Sequence, residues 1–95
     1  MQISLNFVDN DAQVFCVEVA TIMVDLFDIS EEEAIKRVES HWGNLKQIGG
    51  VNEIIYHEEP EFWANDIYWG HSSYWWLPAE DRLEKGLPNL SPVNF

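Results

Sequence analysis

One apolar stretch near the start of the chain constrains its fold more than any other feature. Across residues 11–27, Ala12, Val14, Phe15, Val17, Val19, Ala20, Ile22, Met23, Val24, Leu26 and Phe27 make a run too long for an ordinary strand, so it reads as a helix despite its β-branched members. On a helical wheel Asp11, Glu18, Thr21, Asp25 and Asp28 share an arc of roughly 100°, and the rest of the circumference is mostly apolar. A helix of that kind is either the central element of a bundle or the seam of a homodimer. Asp11, Glu18 and Asp25 also interrupt any window long enough to span a bilayer, so no membrane role is expected.

The next helix carries its own start signal. Ser30 and Glu33 match a capping box, Glu31 and Glu32 put negative charge at the positive end of the helix dipole, and Ile29 is placed to staple onto Ala34. The spacing of Ala34, Ile35, Val38 and Trp42 predicts the inward face, and Gly43-Asn44 predicts a left-handed stop. Only Asp28 and Ile29 separate the two helices, which must therefore pack as a hairpin. Gly49-Gly50 marks a loop with positive φ. Residues 53–57 suit either a short strand or one helical turn. Pro60 opens a third helix that Gly70 ends after Trp69; Ser72 or Ser73 could cap a further turn through Trp76, and Pro78 opens a short last helix closed by Gly86. The alternation of Ile3, Leu5 and Phe7 with polar neighbours predicts an extended N-terminal segment, and Pro88 and Pro92 predict an extended tail over residues 87–95. The fold class is thus mainly α: one domain over residues 1–95, a small bundle of three to four helices with an extended N-terminal segment and an extended C-terminal tail.

Charge narrows the function. Seventeen acids against five Lys and Arg leave a net charge of -12, which repels phosphate backbones and anionic membranes and is the complement of a basic protein. No nucleic acid is expected as partner. The lone Cys16 forms no internal disulfide, and the first residues lack the basic start and apolar core of a secretory signal, which together suggest the cytoplasm.

Eight of the thirteen aromatic residues fall between Tyr56 and Trp76, together with Glu58, Glu59, Glu61 and Asp66 and with no Lys or Arg. Most rings in so small a domain belong to a core, but eight around one short helix cannot all point inward. Rings left exposed among acids have the anatomy of a protein-binding hot spot. Glu53, Tyr56, Glu58, Glu59, Glu61, Asp66, Trp69 and Trp75 are accordingly the candidate partner-binding residues. A metal site built from His41, His57 and His71 with Glu58, Glu61 or Asp66 is the weaker reading, because none of these residues has the spacing of a known ligand motif. Cys16 lies within the apolar helix as a packing residue, and Ser72 and Ser73 directly after His71 do not make a triad. No catalytic residue, cofactor or metal is expected, and a sugar-stacking surface of Trp and Tyr fits a helical chain poorly.

The order of elements over residues 11–69, a helical hairpin, a glycine loop, the segment Glu53-Ile54-Ile55-Tyr56 and a later helix, resembles the layout of the small acidic immunity proteins of nuclease bacteriocins. That resemblance implies a compact four-helix domain of bacterial origin that holds a basic toxin, with Glu53, Tyr56, Glu58 and Glu59 as contacts. The tryptophan-rich residues 60–77 depart from that pattern. The expected function is a non-catalytic immunity- or inhibitor-type protein with a basic partner; the alternatives are a self-associating structural or accessory homodimer and, after that, a small enzyme or metal-binding protein.

Overall fold

A computed structural model describes residues 1–50 and 54–95, leaving Glu53 outside the described residues. Among the described residues four helices follow one another: α1 (Asn10–Phe27), α2 (Glu31–Trp42), α3 (Pro60–Trp69) and α4 (Ala79–Glu84), with 3-10 turns at Ile54–His57 and His71–Ser73. The protein is mainly helical. The segment after the glycine loop is therefore a helical turn over its described part.

Helix α1 is the central element, because both α2 and α3 pack against it. Its Ala12, Cys16, Val19, Ala20 and Met23 are buried, and all five residues of the polar arc, Asp11 to Asp28, are exposed. The Asp9 carboxylate caps the start by accepting from the Ala12 N–H at 2.9 Å, and Asp28 closes the end in a left-handed conformation, φ 53°, with its N–H on the Val24 carbonyl. Both flanking acids thus contribute to the helix itself.

At α2 the Ser30 hydroxyl accepts from the Glu33 N–H at 3.0 Å, as the capping pattern implies. The Glu33 carboxylate turns forward instead, to Arg37 Nε at 2.9 Å. Ala34, Val38 and Trp42 are buried and Ile35 is partly so. The expected left-handed stop at Gly43-Asn44 is not what ends this helix: Gly43 is right-handed, φ -63°, and Leu45 N–H closes a tight turn on the Trp42 carbonyl at 3.1 Å. Hydrogen bonding of the last turn replaced the need for positive φ.

The N-terminal segment alternates as its sequence implies, with Ile3 buried, Leu5 and Phe7 half-buried and Ser4, Asn6 and Val8 exposed. Among the described residues it forms no strand. A single parallel bridge joins Phe7 to Ile48, with Val8 N–H on the Ile48 carbonyl and Ile48 N–H on the Asn6 carbonyl, both at 2.8 Å. Gly49, at φ 111°, follows this bridge so closely above α1 that an added Cβ would lie 2.7 Å from the Ala12 Cβ.

Two arginines that pattern reading passes over hold the C-terminal third. Arg82, 8% exposed, donates to the carbonyls of Ser73, Tyr74 and Pro88 and so ties α4 to the turn before it and the tail after it. Arg37, also 8% exposed, donates to the Val93 carbonyl at 2.7 Å, and its guanidinium lies 4.7 Å from the Tyr68 ring centroid and 4.6 Å from that of Phe95. Residues 87–95 have no regular structure, yet the tail is strapped back across α2 and α3, with Val93 N–H on the Tyr68 carbonyl at 2.8 Å.

Candidate functional site

The aromatic segment is neither wholly core nor wholly surface. Its rings form a continuous series in which Trp42, buried under α2, meets Trp63 at 5.4 Å, Trp63 meets Phe62 at 5.3 Å, Phe62 meets Trp75 at 5.4 Å and Trp75 meets Trp76 at 5.6 Å. Trp76 is 43% exposed and touches Tyr74, 47% exposed, at 5.5 Å. The inner rings anchor the series through edge and tilted contacts, so the outer rings are presented from a packed base rather than from a loose loop.

Tyr74 is held outward by its backbone. It sits at φ 53°, a left-handed conformation uncommon for an aromatic residue, where it ends the 3-10 turn by placing its N–H on the His71 carbonyl. The Arg82 clamp on the Ser73 and Tyr74 carbonyls fixes that geometry. No serine caps this turn, contrary to expectation: Gly70 occupies the cap, and Ser73 Oγ donates back to the Gly70 carbonyl. A hydroxyl that reaches its own preceding backbone satisfies itself locally instead of a helix start.

Beside Trp75 in this series lies Asp66, 5% exposed. One of its oxygens, Oδ1, accepts from Trp75 Nε1 at 2.8 Å and lies 3.0 Å from His71 Nδ1. An ionised carboxylate only accepts, so His71 donates through Nδ1 and turns its other ring nitrogen away from Asp66. The charge of Asp66 is felt across the site: burial lowers the pKa of His41, and Asp66 opposes that shift. A cavity of about 300 Å³ opens over Asp66 between Phe62, Trp63, His57, Glu58 and His71. Trp63 Nε1 donates to the Ile55 carbonyl at 2.7 Å, and this bond holds the 3-10 turn that carries His57 against α3. Pro60 at the first turn sets the entry to α3 and leaves Glu58, Glu59 and Glu61 exposed around it.

The expected partner-binding residues therefore separate. Glu58 and Asp66 share the cavity and Trp75 braces Asp66; Glu59 and Glu61 are exposed beside it. Tyr56 is 37% exposed and meets the edge of Phe15 on α1 at 5.2 Å. Trp69 is half-buried against Phe27 at 5.5 Å, which ties this ring to the core. His57, His71, Phe62 and Trp63 line the cavity without having been singled out as partner contacts, because only the fold brings the two ends of α3 and the turns beside it to one opening. The repeating acids and rings at residues 57–63 were the available signal.

An Asp-His pair also orients a general base in many enzymes. Here Ser73 Oγ is committed to the Gly70 carbonyl, and Cys16 lies buried within α1 with its thiol pushed up to about 12 by burial, so neither is presented to His71 as an activated nucleophile. Among the described residues no three His, Cys, Asp or Glu side chains are grouped to hold a metal ion, and no helix is long and apolar enough to cross a membrane. No protein-family model matches the chain, and no match to it was found among curated proteins or solved structures.

Proposed function

We propose that this chain is a non-catalytic protein-binding domain of the immunity or inhibitor type, which holds a basic protein, a toxin in the resemblance noted above, through the acidic aromatic face of α3 and the turn that follows it. The observation that carries the reading is the exposure of Tyr74 and Trp76 from a packed aromatic base, with Trp76 lying 5.1 Å from His71 at the rim of a cavity walled by Glu58 and Asp66. Rigid exposed rings supply contact area at small entropic cost, and surrounding acids steer a cationic partner and reject an anionic one.

The distribution of cations supports the same reading. Arg37 and Arg82 are buried as structural clamps and Lys36 is paired with Glu32 at 3.0 Å, which leaves Lys46 and Lys85 as the other exposed cations against a large excess of exposed acids. The test is binding of a synthetic arginine-rich peptide to the full chain at low and high salt, with Glu58→Lys and Glu59→Lys beside the parent. Tight binding that weakens steeply with salt, and slower association for both variants, is expected. Binding that is indifferent to salt and to charge reversal refutes the reading.

Self-association is the second reading. The specific observation behind it is a largely apolar groove lined by Tyr74, Trp76, Leu77, Leu87 and Lys85, with Leu83 82% exposed on the neighbouring helix. The apolar circumference of α1 adds little to it, because α2 and α3 pack against most of that helix and leave Val14 and Leu26 as its exposed apolar residues. Sizing at low and high concentration separates the two readings.

A further inference from the structure

We infer that the cavity over Asp66 is the anchor site for one arginine side chain of the basic partner, an inference that rests on the reading above for its ligand class. The chain already accommodates a buried guanidinium of its own, that of Arg37. Arg37 lies between two aromatic rings, 4.7 Å from the Tyr68 centroid and 4.6 Å from the Phe95 centroid, while the Glu33 carboxylate meets Nε at 2.9 Å. Rings on the faces and a carboxylate on the edge satisfy both the π-attraction and the donor fork of a guanidinium.

The cavity offers the same set of groups. Phe62 and Trp63, packed edge to face at 83°, supply aromatic walls, Asp66 a buried carboxylate and Glu58 an exposed one, and His57 and His71 complete the lining. None of the chain's five Lys and Arg lines it. Asp66 is held in place by Trp75 and His71 through a single oxygen, so its position is set before any ligand arrives. A volume of about 300 Å³ lies at the small end of ligand pockets and suits one long side chain better than a folded segment. Arginine fits better than lysine: its guanidinium is planar, stacks on rings and gives up water more readily than an ammonium.

The experiment titrates the full chain at neutral pH with N-acetyl-arginine amide and, separately, with N-acetyl-citrulline amide, which has nearly the same shape without the charge. The readout is the indole N–H resonances of the five tryptophans, with circular dichroism on every variant. The arginine amide should shift the Trp63 and Trp75 signals in a saturable way, and the citrulline amide should do so far more weakly. Glu58→Gln, at an exposed position, should weaken arginine-amide binding by about two- to fivefold, and Asp66→Asn, which keeps an acceptor for Trp75, by at least as much. Glu80→Gln on α4 should change nothing. Equal shifts from the two amides, shifts confined to Trp69 and Trp76, or unchanged binding to Glu58→Gln would overturn the inference. Failure of the arginine amide with retained, salt-sensitive binding of the arginine-rich peptide removes the anchor site and leaves the proposed function standing. The opposite pattern removes the proposed function and keeps the site.

Discussion

Arg37→Ala should be among the most damaging single substitutions in this chain. The buried guanidinium donates to the Val93 carbonyl at 2.7 Å, pairs with a half-exposed Glu33 at 2.9 Å and faces the rings of Tyr68 and Phe95. A charged hydrogen bond contributes about 1.5 to 3 kcal/mol. A partly solvated i,i+4 pair contributes about 0.3 to 0.5 kcal/mol, and the ring contacts together about 1 kcal/mol. Neighbouring terms do not simply add, so a loss of about 2 to 4 kcal/mol is expected. For a domain of this size each kcal/mol moves Tm by about 4 to 8 °C, which places the variant at least about 8 °C below the parent. Amide exchange adds a local readout: the Val93 N–H, bonded to the Tyr68 carbonyl at 2.8 Å, should lose protection first as the tail lifts. Arg37→Lys should recover little of the loss, because an ammonium lacks the fork and the planar face. An Arg37→Ala melt within about 2 °C of the parent, with Val93 still protected, would refute the strap; it would also weaken the analogy on which the arginine anchor site is argued.

The remaining expectations concern other parts of the fold. Ser30→Ala removes the one side-chain cap of α2 and should lower stability by about 0.5 to 2 kcal/mol in a thermal melt, with Ser30→Asp restoring most of it. Gly49→Ala forces a side chain into positive φ and against Ala12, and should cost about 1 kcal/mol or more in denaturant unfolding. The Cys16 thiol, raised from 9.0 to about 12 by burial, stays protonated in the folded chain where the unfolded chain ionises. Its contribution to stability is therefore fully present below pH 9.0 and lost as pH rises toward 12, by up to about 1.4 kcal/mol per pH unit, a slope that Cys16→Ala should remove. Burial lowers the pKa of His41, so this side chain should destabilise the fold as pH falls below 6.5, and its ring resonances should titrate below that value.

Much of the secondary structure was legible because local rules agreed with one another. The apolar circumference of residues 11–27, the Ser30 cap, Pro60 at the start of α3 and Gly70 at its end each rest on interactions within a few residues, and each element stands where those rules put it. The exposed acid arc of α1 followed from the same period that buries Cys16 and Met23. What failed locally failed where two residue types compete for one role. Gly43-Asn44 looked like a left-handed stop but the last carbonyls of α2 found a right-handed turn, and Ser72-Ser73 looked like a cap but Ser73 bonded its own backbone. The site was legible only as a composition. Glu58 and Asp66 stood out as acids, and nothing in their spacing showed that they would line one cavity, Asp66 buried and Glu58 exposed. Nor could periodicity reveal that Arg37 and Arg82 belong inside, because Arg37 is placed by the Val93 carbonyl far along the chain, and Arg82 by the carbonyls of Ser73, Tyr74 and Pro88, which irregular turns on either side of α4 bring to it. Hydrophobic period and capping chemistry are properties of neighbours in sequence, and the chain alone determined them. Which charge is buried, and which ring faces outward, depends on contacts that cross irregular turns and join separate elements, and only the tertiary structure decided those.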